Sequence, residues 1–215
     1  MIIFIDSADV AEIKEIAKLQ IIDGVTTNPS LIAKSGRDIK TVISEICGII
    51  SGDVSAEVYA EDFDEMVREG NELFKIAPNI VLKLPVTEDG IKACKHFSDM
   101  GKKTNLTLCF SSLQALLAAK AGATYISPFI GRLEDVGQDG IGLIKDIKTV
   151  FSNYPNLKTK ILAASIRNIS HIESVAKIGS DAITMPSKLI KEIYKHELTD
   201  KGLEIFRADA SRSQK

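Results

Sequence analysis

The chain has 215 residues, 45% of them hydrophobic, and a formal net charge of −2 at pH 7. This composition permits a soluble intracellular enzyme, and a chain of this length can form one large α/β barrel without dividing into domains. The nearly neutral charge and the lack of a basic block argue against nucleic acid or an anionic membrane surface as the main partner.

Localisation and redox state follow from a few further features. Asp6 and Asp9 place acidic residues at the start of the chain, so we expect no secretory signal and a cytoplasmic protein. The longest uncharged run, 104–119, is too short and too polar to span a membrane. The histidines lack metal-ligand spacing, and we predict no metal and no cofactor. Three widely spaced cysteines are expected to be reduced and buried: Cys47, Cys94 and Cys109.

Short β-branched runs recur along the chain, each followed by a turn and a helical pattern. The first helical pattern has Ser7 or Asp9 as its candidate N-cap. Eight strands alternating with helices predict a parallel sheet, and eight strands can close into a (β/α)8 TIM barrel. A doubly wound open sheet is the alternative, because periodicity cannot show closure. The predicted strands are Ile2–Asp6, Gly24–Asn28, Val54–Tyr59, Ile80–Pro85, Thr104–Cys109, Tyr125–Ile130, Lys160–Ser165 and Ala182–Pro186.

The last part of the chain differs in character. Residues Ser187–Tyr194 predict a helix, and a short apolar stripe follows within 203–206. We therefore predict one barrel domain over residues 1–215, with C-terminal helices at about 187–207. Residues 208–215 have too little apolar surface to order themselves, so a flexible tail is predicted there.

Lys83 lies in the middle of the apolar run 80–86. Loss of hydration at such a position favours the neutral, nucleophilic amine. A neutral amine can condense with a carbonyl group to form a Schiff base. The alternative is a lysine that ends a strand and reaches solvent.

Other predicted strands also carry polar side chains near their carboxyl ends. In strands that are buried on both faces, such groups are costly unless they are paired or face a common polar pocket. In a barrel they would converge on the C-terminal mouth, where enzymes of this fold have their active sites. The residues are Asp6, Thr27, Asn28, Glu57, Lys83, Asn105, Thr107, Ser127 and Ser165.

Six segments, in order over nearly the whole chain, match the pattern of one enzyme family. They are VTTNPSLI (25–32), VSAEV (54–58), VLKLPVTEDGIKA (81–93), TNLTLCFS (104–111), AGATYISPFIGR (121–132) and AASIRN (163–168). Together they resemble the transaldolase family, in the small-subunit branch that also contains the fructose-6-phosphate aldolases. The resemblance implies a (β/α)8 barrel, metal-free class I aldol chemistry and a place in the pentose phosphate pathway.

The resemblance also implies a ring-shaped homo-oligomer, a pentamer or a decamer. In that family the C-terminal segment reaches a neighbouring subunit. A lid that folds back on its own chain is the alternative, and periodicity cannot separate the two. The implied partners are phosphorylated sugars, with no nucleic acid and no membrane.

By the same resemblance, each polar residue acquires a role. Lys83 would attack the ketose carbonyl, Asp6 would move the proton of the C4 hydroxyl, and Glu57 with Thr107 would hold a proton-carrying water. Neutral side chains would bind the hydroxyls of the dihydroxyacetone unit, and guanidinium groups would bind the phosphate. The predicted substrate-binding residues are Asn28, Thr27, Asn105, Ser127 and Phe129 near the ketose, and Arg132, Ser165 and Arg167 at the phosphate.

Each assignment has a structural alternative. Asp6 could serve merely as the cap of the first helix, and Asn28 merely as part of a turn before Pro29. Glu57 could be a buried partner of a lysine or hydroxyl. The remaining alternatives are an ordinary strand residue at Thr107, packing at Ser127 and Phe129, and surface ion pairs at Arg132 and Arg167.

Two reactions begin with the same lysine imine. The resembling aldolases carry glutamine where this chain has Glu57 and tyrosine where it has Phe129. Phenylalanine cannot donate a proton to the three-carbon enamine, so we predict transfer from sedoheptulose 7-phosphate or fructose 6-phosphate to an aldose phosphate. The alternative is cleavage of fructose 6-phosphate to dihydroxyacetone and glyceraldehyde 3-phosphate. A barrel that only binds sugar phosphates would need the arginines but neither Asp6 nor Lys83.

Overall fold

A computed structural model describes residues 1–213 of the chain. Eight parallel strands pair in sequence order, and β8 pairs with β1, so the barrel is closed. The predicted TIM barrel is confirmed and the open sheet is excluded. The strands are β1 Ile2–Asp6, β2 Gly24–Thr26, β3 Asp53–Glu57, β4 Ile80–Pro85, β5 Thr104–Cys109, β6 Tyr125–Pro128, β7 Lys160–Ala163 and β8 Ala182–Met185.

Helices cover the outside of the barrel. Most of those that follow a strand begin at an aspartate, asparagine, serine or threonine whose side chain accepts a hydrogen bond from the first turn. The helices are α1 Val10–Ala17, α2 Pro29–Ser35, α3 Ile39–Ile49, α4 Phe63–Phe74, α5 Glu88–Asp99, α6 Ser112–Lys120, α7 Ile130–Glu134, α8 Gly140–Ser152, α9 Ile169–Ile178, α10 Ser187–Ile193 and α11 Glu197–Ser213.

Several strands end earlier than the sequence predicts. The chain leaves β2 after Thr26 because Asn28 already caps α2, and it leaves β6 after Pro128 because Ile130 begins α7. Beyond β7, Ser165 adopts a left-handed φ of 58°, which takes the backbone out of the extended conformation. The residues at these ends therefore lie on loops at the mouth of the barrel, where binding groups are commonly placed.

Successive side chains of each strand point alternately to the outside and to the inside of the barrel. The outer residues pack under the helices in one large core, and a second cluster of Phe4, Val81, Tyr125, Leu162 and Ala182 fills part of the interior. Because side chains two residues apart face the same side of a strand, four of these five interior residues are followed by a polar residue nearer the mouth. The pairs are Phe4 and Asp6, Val81 and Lys83, Tyr125 and Ser127, and Ala182 and Thr184.

The end of β5 is irregular. Its register against β6 shifts between Leu106 and Cys109, and Leu108 has a left-handed φ of 59°. Bulges of this kind re-aim side chains and are frequent next to active sites. Here the irregularity lies directly beside Thr107.

The C-terminal helices extend further than predicted. Helix α11 continues to Ser213, past the predicted helix end at about 207. Ion pairs such as Lys201–Glu197 lie one turn apart and support an exposed helix. Residues 214–215 lie outside the described part of the chain.

The cysteines are free thiols; Cys94 and Cys109 are buried, whereas Cys47 is half-buried. Burial raises the pKa of the Cys109 thiol to about 12 and the pKa of Cys94 to about 11. Thiols in this state are protonated and poorly nucleophilic at neutral pH. In residues 1–213, no helix is long and apolar enough to cross a membrane.

Candidate active site

A cavity of about 380 Å³ lies at the carboxyl ends of the strands. It is the site that the polar strand ends predict, and it brings together residues from strands and loops far apart in the chain. The predicted residues that line it are Asp6, Asn28, Lys83, Ser127, Phe129, Arg132, Ser165 and Arg167. Glu57, Asn105, Thr107 and Thr27 do not line the cavity, although Glu57 and Thr27 contact Lys83 directly.

Lys83 is 4% exposed, so it is not a strand-end lysine that reaches solvent. Parallel pairing of β3 with β4 places Glu57 opposite Lys83, and Lys83 Nζ lies 2.9 Å from Glu57 Oε2. The same nitrogen donates a hydrogen bond of 3.0 Å to the carbonyl oxygen of Thr27. The amine therefore has a carboxylate within proton-transfer distance.

Asp6 lies at the end of β1 and accepts a hydrogen bond of 2.8 Å from Thr26 Oγ1. Thr184 Oγ1 lies 2.6 Å from the same threonine oxygen. Burial raises the pKa of the Asp6 carboxyl, and the charge of Lys83 and the Thr26 hydrogen bond offset only part of that rise. Asp9 caps α1, so Asp6 is free of the capping role.

Thr107 Oγ1 is buried and has no hydrogen-bond partner among the described residues. Such a group is rare in a protein interior and is commonly satisfied by a water or a ligand. Asn105 is aligned with Lys83 in the pairing of β4 with β5. Its Nδ2 donates to Ser55 Oγ at 3.2 Å, and its Oδ1 accepts from Ser127 Oγ at 2.8 Å. Ser127 thus keeps lone pairs that can accept from a substrate hydroxyl.

Asn28 and Thr27 have different positions in the site. Asn28 Oδ1 accepts from the Leu31 backbone N–H at 3.0 Å and caps α2, which leaves its Nδ2 group as a donor at the cavity. Thr27 Oγ1 instead donates to the Ser55 carbonyl oxygen at 2.8 Å and is fully buried. Thr27 contributes to the site through its carbonyl oxygen, which accepts the hydrogen bond from Lys83 Nζ.

The two arginines lie at the edge of the cavity, Arg132 on α7 and Arg167 on the loop between β7 and α9. The Arg132 guanidinium lies 5.0 Å above the centre of the Phe129 ring, a cation–π arrangement. Arg167 pairs with Asp135 across 2.7 Å, and about half of each of these side chains is exposed. The surface ion pair that the sequence leaves open at Arg167 therefore exists, although the residue also lines the cavity.

Sequence reasoning missed several lining residues, among them Thr26, Ser30, Lys34 and Thr184. Thr26 and Thr184 are polar residues in buried strands, which is the signal that identified their neighbours. Threonine is common in strands, so this signal is weak for it. Ser30 and Lys34 are on α2, whose orientation the sequence does not give.

A second groove, of about 700 Å³, lies between α1 and the α2–α3 region. It shares Leu31 and Lys34 with the cavity, but it does not contain Lys83. Its polar lining mixes both signs of charge, and Glu12 there is already bonded to Ser7 Oγ at 2.6 Å. The strand-end cavity, with its buried amine and carboxylates, is therefore the better candidate active site.

Comparison with known proteins agrees with this geometry. Residues 3–215 match the model of the family described as transaldolase/fructose-6-phosphate aldolase. A protein of Paracoccus denitrificans named probable transaldolase is 58% identical over 210 residues, which cover 98% of this chain and 96% of the relative. A probable transaldolase of Caulobacter vibrioides is 57% identical over 209 residues, with 97% and 96% covered. The chain therefore belongs to the transaldolase/fructose-6-phosphate aldolase family of enzymes.

Proposed function

We propose that the protein is a transaldolase that moves a dihydroxyacetone unit from a ketose phosphate to an aldose phosphate through a Schiff base on Lys83. The donor is sedoheptulose 7-phosphate or fructose 6-phosphate, and the reaction belongs to the pentose phosphate pathway in the cytoplasm. The single observation that carries the proposal is the buried Lys83 amine beside the Glu57 carboxylate, at a cavity that Asp6 also lines.

The proposed reaction begins with addition of Lys83 Nζ to the C2 carbonyl of the ketose. Loss of water gives an iminium, which is an electron sink for the next step. Glu57 accepts the proton that the amine gives up, and a water held by Glu57 and the unpaired Thr107 hydroxyl carries protons during this exchange. The chemistry needs no further cofactor because the protonated imine itself withdraws electrons.

Bond cleavage follows with Asp6 as the base. Asp6 takes the proton of the C4 hydroxyl, the C3–C4 bond breaks, and its electron pair forms an enamine on Lys83 as the aldose phosphate leaves. A raised pKa suits this role, because a base works best when its pKa approaches the working pH. In the second half, the enamine carbon adds to the acceptor aldehyde, Asp6 returns the proton, and water hydrolyses the iminium.

Substrate orientation is assigned to the remaining residues. Asn28 and Ser127 bind hydroxyls of the dihydroxyacetone unit, and Asn105 orients Ser127 through its hydrogen bond. Phe129 forms the wall beside the enamine. Arg132, Ser165 and Arg167 bind the phosphate, for which the planar guanidinium group is suited. Because Phe129 carries no hydroxyl, the enamine has no proton donor at this position and persists until an acceptor arrives.

We further propose that the protein is a homo-oligomer, a pentamer or a decamer. Helix α11 exposes Leu198, Ile205 and Phe206, and Phe206 is 71% exposed in the isolated chain. Exposed apolar side chains on one terminal helix are typical of a surface that is buried in an assembly. An interaction with a neighbouring subunit therefore accounts for α11 better than a lid over its own barrel.

Borohydride reduction in the presence of fructose 6-phosphate tests the Schiff base. We expect a stable mass increase on the peptide that contains Lys83, and no increase in Lys83→Arg, whose guanidinium stays protonated. Lys177→Arg, at an exposed lysine of α9, is the matched control and should label like the unmodified protein. Absence of label at Lys83 would refute the mechanism and would favour a barrel that only binds sugar phosphates.

The acceptor dependence distinguishes transfer from cleavage. With fructose 6-phosphate alone, a transaldolase releases little free dihydroxyacetone, and addition of an aldose phosphate other than the one released produces a new ketose phosphate. Release of dihydroxyacetone at a comparable rate without acceptor would instead identify a fructose-6-phosphate aldolase.

A further inference from the structure

His171 is a buried histidine on α9 whose two ring nitrogens both have partners, although it does not line the cavity. Nδ1 accepts a hydrogen bond of 3.3 Å from the backbone N–H of Arg167. Nε2 lies 2.9 Å from Glu134 Oε2. Only 5% of the residue is exposed.

The contacts of His171 determine which nitrogen carries the proton. Nδ1 receives a backbone N–H and must present a lone pair, so the proton is on Nε2 and is donated to the Glu134 carboxylate. The ring is thus a bridge with an acceptor end at Nδ1 and a donor end at Nε2. One end holds the loop between β7 and α9, and the other holds the last residue of α7.

These two segments carry the arginines of the cavity. Arg132 is on α7 and Arg167 is on the loop. The segments are also in close contact, because Gly131 N–H donates to the Ser165 carbonyl oxygen at 3.0 Å. The ion pair between Arg167 and Asp135 is a further link, but it lies at the surface, where such pairs hold a geometry weakly. His171 provides the buried side-chain link.

We propose that His171, acting with Glu134, is a positioning residue that fixes Arg132 and Arg167 relative to each other for phosphate binding. This inference rests on the proposed function, in which the two arginines bind the phosphate. Two guanidinium groups bind one phosphate well only when their spacing is set before the substrate arrives. A side chain that holds the backbone of one arginine and the helix of the other sets that spacing.

The test compares two substitutions that differ in hydrogen bonding. His171→Leu keeps an apolar side chain but removes both bonds, whereas His171→Gln keeps an acceptor and a donor. The measurement is the substrate concentration that gives half-maximal borohydride labelling of Lys83, with fructose 6-phosphate and, separately, with dihydroxyacetone. Dihydroxyacetone has no phosphate and reports only the lysine end of the site.

We expect His171→Leu to raise the half-saturating fructose 6-phosphate concentration about 10-fold. Loss of a residue that orients a metal ligand costs about 10–100-fold in affinity, and we take the lower end of that range. The value for dihydroxyacetone should change less than about 2-fold by the same reasoning. His171→Gln should restore most of the fructose 6-phosphate affinity. Glu134→Ala should reproduce the loss, and the double variant should lose no more than either single one, because both act through one bridge.

Arg167→Ala separates failure of this inference from failure of the proposed function. If Arg167→Ala weakens fructose 6-phosphate binding but His171→Leu and Glu134→Ala do not, the positioning role is refuted and the phosphate assignment stands. Equal losses for fructose 6-phosphate and dihydroxyacetone would also refute it, since they indicate a general effect on the fold. If Arg132→Ala and Arg167→Ala both leave fructose 6-phosphate binding unchanged, the phosphate assignment itself is wrong. If His171→Leu does not fold, Glu134→Ala tests the same bridge from its other end, because the Glu134 side chain is partly exposed and its loss disturbs packing less.

Discussion

Lys83 Nζ and Glu57 Oε2 form an ion pair of 2.9 Å inside the barrel, with 6% and 13% of the two side chains exposed. The pair exists because parallel pairing of β3 with β4 places the two residues side by side on the inner face. A buried ion pair is sensitive to loss of one member, because the remaining charge has neither water nor a partner.

Removal of one member of this pair should therefore destabilise the protein more than removal of both. We expect Lys83→Met to lower the free energy of unfolding by about 3–5 kcal/mol, and Lys83→Met with Glu57→Gln to recover much of that loss. The measurement is urea denaturation at pH 7. The exposed pair Lys177–Glu173 is the control, where Lys177→Met should cost at most about 1 kcal/mol. A double variant less stable than Lys83→Met would contradict the prediction.

Asp6→Asn should remove activity and stabilise the fold. Loss of the base should lower kcat by about 10²–10⁴-fold. Burial raises the pKa of Asp6 in the folded protein, so folding favours the protonated carboxyl. The contribution of Asp6 to stability is then full below its unfolded pKa of about 3.9 and falls as the pH rises towards the higher folded value.

Denaturation of Asp6→Asn should therefore show a gain in stability at pH 7 that shrinks towards pH 4. Asp9→Asn is the matched control, since asparagine caps a helix about as well as aspartate. It should retain activity and stability. A loss of stability at pH 7 in Asp6→Asn would count against a carboxyl whose charge is disfavoured by burial.

Phe129→Tyr should shift the reaction from transfer towards cleavage. The ring lines the cavity, and a hydroxyl on it could deliver a proton to the enamine. We expect the ratio of dihydroxyacetone release to transfer to rise about 10-fold, equivalent to about 1.4 kcal/mol in relative barrier height. Phe110→Tyr is the control, because that ring contacts Phe129 at 6.0 Å between centres but does not line the cavity. An unchanged ratio in Phe129→Tyr would remove the residue from the explanation of reaction type.

Gly131→Ala should disturb the phosphate end of the site. A Cβ there would lie 2.5 Å from the Ser165 carbonyl oxygen and 2.7 Å from the Arg167 side chain. We expect a loss of about 1–3 kcal/mol in unfolding free energy and weaker fructose 6-phosphate binding. Gly48→Ala, in α3, is the control; its Cβ would meet nothing within 4 Å, and it should stabilise by about 0.5–1 kcal/mol. Wild-type binding and stability in Gly131→Ala would show that α7 can move away from the loop at no cost.

Phe206→Asp should dissociate the proposed oligomer. A charge in place of an apolar side chain on α11 would be buried without a partner in the interface. Light scattering coupled to size-exclusion chromatography should show a smaller mass, while far-UV circular dichroism stays unchanged. Arg207→Asp, on the next residue, is the control for the change of charge. A single species of monomer mass in the unmodified protein would refute the oligomer outright.

The sequence by itself determined the alternation of eight strands with helices and many residues of the candidate site. Alternation of buried strands and amphipathic helices follows from local periodicity, and Lys83 stands out because an amine within an apolar run contradicts the pattern around it. Asp6 and Asn28 are detectable because each is a polar residue at the end of a predicted buried strand. The strand ends are less certain, since capping by Asn28 and the left-handed backbone at Ser165 end the strands early.

Only the tertiary structure decided which side chains meet. Glu134 and His171 are 37 positions apart, and Asp135 and Arg167 are 32 apart, so no local pattern links them. Local sequence sets the periodicity and burial of each strand. Contacts between residues from distant segments depend on barrel closure, which brings the ends of all eight strands to one mouth, and on the conformation of the loops there.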